Sequence, residues 1–382
     1  MPENGLTMSK THDNVGPAEV LGVPMLPPGG MTRLANRFRA GLARLHRGSA
    51  PPPARLLEAA LGTLDVAVLD AMCRLELPKR LRTPTSCTVL ADVLDLDPLR
   101  LERLLRYAAT RGWVRVDRNG KYRATRTTAF LEDDHPGGWQ AWVEFAAGGE
   151  VLAATSALGD GLAPDGDAFA SANGAPFFTW MQAHPHRHAT FDRAMAAGGR
   201  MHGLLLAKAL DWSSSRRVCD IGGGDGTLLG VLLAQHPHLE GMLLELQDVV
   251  DRAPPRPRVT AIGGDAFTAV PVGCDTYLFV NVLHDWDDDA AVRLIERAAE
   301  AARSGGSGGV APRIVIVESE LHLRPRDDLA TRVDLLMLAL TPGGRERTTG
   351  EFAALANRAG LRLQQTHPLA SGDCAHVLVP GT

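Results

Sequence analysis

The chain has 382 residues. At about 100 to 200 residues per domain, this length predicts two or three domains and excludes a peptide hormone, a small disulfide scaffold or a lone binding module. The composition is that of a globular protein, with 45% hydrophobic and 22% charged residues, so disorder throughout is excluded. The net charge of −4 comes from 40 basic and 44 acidic residues, a near balance that argues against a dedicated nucleic-acid binder.

The charge is unevenly distributed along the chain. Residues 31–130 contain 19 Lys and Arg against 9 Asp and Glu, a balance of +10, so the remainder carries −14. The two parts are therefore expected to face different partners. One hypothesis is that the arginines of the basic part pair with the acidic part of another subunit.

The cysteines are odd in number, widely scattered and form no CxxC pair that would indicate a zinc or redox site. They are Cys73, Cys87, Cys219, Cys274 and Cys374. Reduced thiols of a cytoplasmic protein are the simplest interpretation. Residues 1–30, which end in LPPGG, are expected to be a flexible leader without a signal-peptide pattern. The chain has no 18-residue apolar run, so the sequence predicts no membrane span.

An amphipathic helix is predicted from Met31, because large apolar residues recur there at helical spacing among arginines. The apolar positions are Leu34, Phe38, Leu42 and Leu45. A basic amphipathic helix can bind acidic lipid, but packing on a partner subunit is the favoured interpretation.

The next segment has the pattern of a winged helix. Residues 88–112 predict a helix, a turn and a second helix that Pro98 opens and Gly112 ends. The segments WVRV and KYRAT, joined by DRNG, predict two strands around a tight turn. The arginines of the second helix, Arg100, Arg103 and Arg106, allow either DNA recognition or a solvated face on a dimerisation domain. The dimerisation domain is the favoured interpretation, because the domain that follows carries far more specific motifs.

The pattern changes again at Arg217. Residues 132–172 are expected to form a helix and a loop rich in Gly, Asp and Pro, and residues 174–210 to form further helix. From Arg217 onward, short apolar runs alternate with amphipathic helices. Such alternation predicts an α/β fold with a parallel sheet that helices cover on both faces.

The first strand of this region ends in the turn DIGGGDG, residues 220–226. Alternate glycines let the backbone turn tightly and approach a ligand with no Cβ in the way. Thr227 stands where the dinucleotide fingerprint GxGxxG has its third Gly, so the spacing fits a different ligand. Glu245 ends the second strand, and Asp265 of GGDAF follows the third. Because ligands bind at the carboxyl ends of such strands, the three turns are expected to converge on one crevice.

A histidine is predicted at the same crevice. LHDWDD follows the fourth strand and contains His284. With an ordinary pKa of about 6.5, a histidine is a neutral base at cellular pH, and a phenol with a pKa of about 10 attacks well only after losing its proton. Glu318 ends the fifth strand and Glu346 lies in PGGRERT; each can hold an imidazole nitrogen and fix its tautomer.

Together these motifs resemble the plant-type small-molecule O-methyltransferases and their bacterial polyketide-tailoring relatives, over residues 35–380. The three turns resemble the S-adenosylmethionine pocket of class I methyltransferases, and LHDWDD and DLLMLALTPGGRERTTGEF carry the rest of the likeness. The resemblance implies an α/β, Rossmann-like class I methyltransferase sheet preceded by a mainly α winged-helix dimerisation domain. The implied segments are a leader (1–30), the winged-helix-like domain (31–135), a helical linker region lining the substrate pocket (136–210) and the catalytic domain (211–382).

The resemblance also implies roles for individual residues. His284 would be the general base, with Glu318 and Glu346 as its flanking carboxylates. The implied S-adenosylmethionine contacts are Asp220, Gly222, Gly224, Glu245 at the ribose, Asp265 and Ala266 at the adenine, and Trp286 beside it. The implied acceptor contacts are Phe191, Met195, Asp285, Met337 and Thr341. The implied function is metal-independent methylation of a hydroxyl on a small aromatic molecule by a homodimer, with S-adenosylhomocysteine as the second product and no nucleic-acid or membrane partner.

Some features depart from the family pattern or lie outside it. Glu245 stands where Asp is common, Gln247-Asp248 replaces a pair that usually contains proline, and Val280 occupies a position that is often polar. The histidines of HPHRH, residues 184–188, are expected in a turn between helices without other metal ligands. The acidic run Asp287–Asp289 is expected to be a solvated helix start.

Two alternative functions remain open. Some relatives keep the fold and the cofactor pocket but catalyse hydroxylation or rearrangement, so the motifs establish cofactor binding better than methyl transfer. A winged-helix regulator that binds duplex DNA is the other alternative.

Overall fold

The computed structural model describes residues 28–304 and 312–381. The expected leader over residues 1–30 lies outside this described part except for its last three positions. Helix α1 (Gly29–Ser49) begins within those three, two residues before the predicted start.

The N-terminal part is mainly helical, as predicted. Helix α1 is followed by α2 (Pro52–Ala60), α3 (Thr63–Arg74) and α4 (Leu77–Arg80). Next come β1 (Thr85–Ser86), α5 (Cys87–Leu94), α6 (Pro98–Thr110), β2 (Val114–Val116), β3 (Lys121–Ala124) and α7 (Arg126–Ala129). Strand β3 pairs antiparallel with both β1 and β2. The order of two helices and a two-stranded wing that the sequence predicted is therefore present.

The middle of the chain is more helical than the sequence indicated. Its helices are α8 (Gln140–Ala146), α9 (Gly149–Ser156), α10 (Ala168–Asn173), α11 (Phe177–Ala183) and α12 (Pro185–Ala209). The loop rich in Gly, Asp and Pro that was expected within 132–172 is present over residues 157–167, with one 3₁₀ turn (Asp160–Leu162). The expected helix, however, is divided into α8 and α9, and a further helix, α10, follows the loop; their apolar faces pack around buried Phe145 and Phe169. The HPHRH run is not a turn, since Pro185 opens α12 at the position that proline favours.

The C-terminal part contains a seven-stranded sheet. Its strands are β4 (Arg217–Ile221), β5 (Glu240–Glu245), β6 (Val259–Gly263), β7 (Thr276–Val280), β8 (Arg313–Ser319), β9 (Leu361–Pro368) and β10 (Asp373–Pro380). The spatial order is β6-β5-β4-β7-β8-β10-β9. The first five strands run parallel, and β10 is antiparallel to both of its neighbours. The predicted α/β class is confirmed.

Helices cover both faces of this sheet. The helices of this part are α13 (Thr227–Gln235), α14 (Gln247–Arg252), α15 (Asp288–Ser304), α16 (Leu329–Leu340) and α17 (Thr349–Arg358). The end of α12 packs on the sheet beside α13, whereas buried apolar residues of α16 pack with α8 to α12. The apolar run of β7 is buried on both faces of the sheet. Tyr277 and Phe279 pack into the cluster with α15 and α17, and Leu278 packs into the cluster with α12 and α13. All three side chains are 0% exposed. A strand buried on both faces cannot alternate polar and apolar residues.

The strand order reverses at β4, between β5 and β7. In an open parallel sheet, a crevice forms at such a reversal, beyond the carboxyl ends of the strands. None of the five cysteines, all of which lie in the described part, forms a disulfide. Within residues 28–304 and 312–381, no helix is long and apolar enough to cross a membrane.

Candidate active site

The glycine-rich turn lies at the reversal of strand order, between β4 and α13. Gly222, Gly224 and Gly226 have φ values of +69°, +58° and +73°, a region that side-chain-bearing residues rarely adopt. A Cβ on Gly224 would meet no atom within 4 Å, so this glycine borders open space. The backbone of the turn is therefore accessible to a ligand at the crevice, as the sequence predicted.

Asp220 at the end of β4 is the most unusual carboxylate of this turn. It is 1% exposed, and neither of its oxygens has a hydrogen-bond partner among the described residues. Burial and the nearby charge of Glu245 raise the pKa of Asp220 to about 7. A buried polar group without a partner is costly, and a cationic donor from a ligand would supply the missing interaction.

The second turn meets the first, and the third meets the second, because the Gly264 amide donates to the Glu245 carbonyl at 2.9 Å. Glu245 accepts hydrogen bonds from the Gly224 amide at 3.2 Å and the Leu246 amide at 2.8 Å. Burial raises the pKa of Glu245, and these two amides partly oppose that effect. Glu245 thereby connects the end of β5 to the glycine-rich turn by a hydrogen bond.

The carboxylate of Asp265 faces its own loop. It is exposed and accepts from the Phe267 amide at 2.9 Å. The half-buried Ala266 and Trp286 pack against one apolar cluster with Phe267. The rings of Phe267 and Trp286 meet edge to face with centroids 4.8 Å apart. The third turn and LHDWDD therefore form one apolar surface beside the crevice.

His284 lies on a short 3₁₀ turn, Leu283–Asp285, that follows β7. Asn281 makes the bend into this turn with a φ of +53°, a conformation that Asn tolerates better than most residues. Glu318, at the end of neighbouring β8, accepts from the amides of Val282 at 3.1 Å and Leu283 at 2.9 Å. The ends of two adjacent strands thus determine where the imidazole lies.

Three carboxylates surround the imidazole. His284 Nδ1 is 2.8 Å from Glu346 Oε1 and 3.4 Å from Glu318 Oε2, while Nε2 is 3.7 Å from Asp285 Oδ1. Glu318 is 0% exposed and Glu346 is 1% exposed. The structure therefore brings together all four residues, but it places both predicted flanking carboxylates at the same nitrogen. Nδ1 carries a proton in this arrangement, which leaves Nε2 as the nitrogen able to accept one.

The ordinary pKa expected for His284 is wrong. Burial alone would lower this pKa, but Glu318, Asp285 and Glu346 outweigh burial and raise it to about 10. Burial in turn raises the pKa of Glu318 to about 8 and that of Asp285 to about 6, against the opposing charge of His284. The carboxylates around His284 therefore favour the protonated imidazole, and burial favours the protonated forms of Glu318 and Asp285.

Three of the predicted acceptor residues lie in one apolar cluster. Phe191 and Met195 on α12 and Met337 on α16 pack into the aromatic core that includes Phe145. Thr341 is buried nearby, but its hydroxyl donates to the Met337 carbonyl at 2.9 Å and accepts from the Gly344 amide at 3.1 Å. The hydroxyl proton of Thr341 is thus used within the protein and cannot be donated to a ligand.

The HPHRH histidines do not converge. His184 Nδ1 lies 2.7 Å from the Trp180 carbonyl, whereas His188 lies beside Arg252. The ligand atoms of His284, Glu318 and Glu346 lie within 4.8 Å of one another, a spacing that a cation could use. The hydrogen bond from His284 to Glu346 already joins two of these three.

Sequence reasoning missed two residues of this site and the ion pairs of a third. Asp334 accepts from the Glu346 amide at 2.9 Å. Arg347 is 0% exposed and pairs with Asp288, which also pairs with Arg345. Asp288 begins α15 as expected and its side chain is 40% exposed, but the sequence did not predict that it pairs with two arginines. The available signal was the Arg-Glu-Arg order, because successive residues of an extended segment point to opposite sides, which puts Arg345 and Arg347 on the side of Asp288 and Glu346 on the side of His284.

Comparison with known proteins agrees with this geometry. A model of the O-methyltransferase domain matches residues 156–362. The chain is 34% identical over 278 residues to a 2,7-dihydroxy-5-methyl-1-naphthoate 7-O-methyltransferase from Streptomyces carzinostaticus, covering 71% of this chain and 81% of that protein. It is 31% identical to a mitomycin biosynthesis 6-O-methyltransferase from Streptomyces lavendulae, covering 81% of this chain and 89% of the relative.

A solved structure of similar fold is the O-methyltransferase NcsB1 from neocarzinostatin biosynthesis, in complex with S-adenosylmethionine and 2-hydroxy-5-methyl naphthoic acid. The TM-score is 0.68 at 28% identity, over 85% of this chain and 98% of the other. Both the family match and the extent of these alignments lead to one conclusion: the chain belongs to the O-methyltransferase family and is an O-methyltransferase.

Proposed function

We propose that this enzyme methylates a phenolic hydroxyl of a small-molecule natural product, with S-adenosylmethionine as the donor and His284 as the general base. The observation that carries the proposal is the imidazole itself: Glu346 accepts a hydrogen bond from Nδ1 and buried Glu318 lies 3.4 Å from the same nitrogen, so Nε2 is the nitrogen that can exchange a proton with an acceptor. The names of the similar Streptomyces enzymes support a natural-product acceptor, and the NcsB1 complex supports the donor.

The donor fits the crevice by charge and shape. Asp220, with both oxygens unpartnered, suits the ammonium group of the methionine part, and the open backbone at Gly222 and Gly224 lets that part approach. Glu245 suits the ribose hydroxyls. The surface formed by Ala266 and Trp286, with Asp265 at its edge, suits the adenine. When bound, the donor supplies a methyl group on a positively charged sulfur.

The acceptor would lie between this crevice and the apolar cluster. Phe191, Met195 and Met337, with the methyl group of Thr341, offer an apolar wall to an aromatic ring. Asp285 lies beside Nε2 and can accept a second hydrogen bond from the acceptor. Holding the two reactants in line supplies most of the acceleration, and proton removal by His284 increases the rate by a further factor of about 10² to 10⁴.

The raised pKa of His284 must fall before this histidine can act as a base. The positive charge of the bound donor explains how this pKa can fall. A cation bound in the crevice opposes a second positive charge on the imidazole, because like charges disfavour each other's charged forms. Donor binding would therefore move the proton off Nε2, while Glu346 keeps the Nδ1 proton in place and stabilises the imidazolium that forms during transfer.

The assigned base is tested by His284→Gln. The rate of methyl transfer should fall by a factor of about 10² to 10⁴, because the glutamine amide cannot take up a proton. The affinity for S-adenosylhomocysteine should change little. Turnover is measured as a gain of 14 mass units on a candidate phenol, and affinity by calorimetry. A matched control is His186→Gln, at an exposed histidine on the surface of α12.

Unchanged turnover in His284→Gln would exclude this histidine as the base. Products that lack the added 14 mass units, formed while S-adenosylmethionine is not consumed, would instead support hydroxylation or rearrangement.

The ammonium site at Asp220 predicts a pH-dependent donor affinity. The pKa of Asp220 is about 7 in the free protein, and a bound ammonium favours the ionised carboxylate. Affinity for S-adenosylhomocysteine should therefore rise between about pH 6 and pH 8, with release of a proton on binding. Calorimetry in buffers of different ionisation enthalpy measures both effects.

Asp220→Asn should bind more weakly and lose this pH dependence, whereas Asp251→Asn, at an exposed carboxylate of α14, should keep it. Equal pH dependence in Asp220→Asn and the wild-type protein would rule out the assignment.

We further propose that the enzyme is a homodimer that buries α1 and α2. Leu34, Phe38 and Leu45 on α1 are between 66% and 72% exposed, and α2 buries none of its residues. An apolar face of this extent marks an interaction surface in a water-soluble protein. A second copy of the same helices would cover it.

Phe38→Asp combined with Leu45→Asp should give monomers in analytical ultracentrifugation, because two charges would have to be buried at the interface. Val116→Asp, at an exposed apolar position of β2, should remain dimeric. The wild-type dimer should persist in about 1 M NaCl, where charges are screened within about 3 Å. Dissociation by salt alone would favour the pairing of basic and acidic parts instead.

A further inference from the structure

A single buried arginine holds the backbone of the turn that carries His284. The Arg347 side chain is 0% exposed. Its Nη1 donates to the Leu283 carbonyl at 2.9 Å, and its Nη2 donates to the Trp286 carbonyl at 2.7 Å. These two carbonyls lie on either side of His284 and Asp285, so one planar group spans the turn.

The charge of this guanidinium is compensated from the opposite side. Arg347 Nε donates to Asp288 Oδ1 at 2.8 Å. Burial alone would raise the pKa of Asp288, but Arg345 and Arg347 hold it below its ordinary value. The planar fork of an arginine is suited to such a site, because its donors are already fixed relative to one another.

The same turn is held at its amides by Glu318, which accepts from Val282 and Leu283. A carboxylate therefore binds the N–H groups that begin the turn, and a guanidinium binds the carbonyls that flank the imidazole. Glu346, the neighbour of Arg347, accepts from His284 Nδ1. Adjacent residues of one segment thus set both the orientation of the ring and the position of the backbone beneath it.

We propose that Arg347 is a positioning residue that couples the base to the donor site, by fixing the Leu283–Trp286 turn that carries both His284 and Trp286. This inference rests on the proposed function for the roles of those two residues. Loss of the bridge lets the turn move, so the distance from Nε2 to the acceptor and the surface offered to the donor change together.

Arg347→Lys tests this bridge, because one ammonium can neutralise Asp288 but cannot reproduce the planar fork that reaches both carbonyls. Arg345→Gln is the matched control: Arg345 also pairs with Asp288, yet its side-chain bonds go to Asp288 and Glu351 rather than to the turn. A second variant, Arg347→Gln with Asp288→Asn, removes both charges and so leaves no buried charge unpaired.

The three variants are compared by kcat, by S-adenosylhomocysteine affinity and by amide hydrogen exchange of peptides covering residues 282–287. In both Arg347 variants we expect kcat to fall about tenfold to hundredfold, as for other groups that orient catalytic residues. Affinity should weaken severalfold, and exchange should accelerate at Asp285 and Trp286, whose amides bond within the turn. Arg345→Gln should resemble the wild type in all three.

Wild-type exchange and kcat in Arg347→Lys would overturn the proposal. So would loss of folding in both Arg347 variants while Arg345→Gln stays folded, because Arg347 would then act on the whole domain rather than on the turn. The exchange and affinity results need no turnover. They therefore stay informative even if His284→Gln shows that another group is the base.

Discussion

The structure of this active site depends on one electrostatic constraint: three carboxylates share one buried imidazole. Removing Glu318 and Glu346 from water is costly unless a positive or shared charge and hydrogen bonds compensate them. His284 provides that compensation only while Nδ1 stays within reach of both, at 2.8 Å and 3.4 Å. The end of β8, the turn after β7 and the segment before α17 must therefore stay in register with one another.

This constraint explains why so many neighbouring polar side chains form hydrogen bonds with backbone groups. Glu318 accepts two amides of the turn, Asp334 accepts the amide of Glu346, and Arg347 binds two carbonyls. None of these contacts reaches the crevice directly. They determine which imidazole nitrogen faces it. Asp220 is the opposite case, since its oxygens have no partner among the described residues and the crevice is where a partner would bind.

The sheet could be predicted from the sequence because burial on both faces requires uninterrupted apolar runs, as in β7, with helices between them. The positions of the glycine-rich turn and LHDWDD could be predicted because each follows a strand, and the carboxyl ends of parallel strands lie at the same edge of the sheet. Within residues 132–172 the loop rich in Gly, Asp and Pro could be predicted, but α10 and the division between α8 and α9 could not, because packing around Phe145 and Phe169 rather than a local pattern places them.

Side-chain chemistry was harder to predict than position. Thr341 lies in the predicted region, yet its hydroxyl bonds to the backbone, which only the geometry of the turn at Gly344 reveals. The pairing of Asp288 could not be predicted because its partners, Arg345 and Arg347, are more than fifty residues away in sequence. The raised pKa of His284 depends on its distances to Glu318 and Glu346, which lie on two other segments, as well as to adjacent Asp285, so the local pattern contains only part of that information.

The central claim is that donor charge sets the proton affinity of His284. It is tested most directly by NMR titration of a His284 ring label in two complexes without acceptor, one with S-adenosylmethionine and one with S-adenosylhomocysteine. The ligands share the ammonium, ribose and adenine but differ in the charge on sulfur. We expect the pKa of His284, about 10 in the free protein, to be clearly lower with S-adenosylmethionine than with S-adenosylhomocysteine. Equal pKa values in the two complexes would contradict the claim.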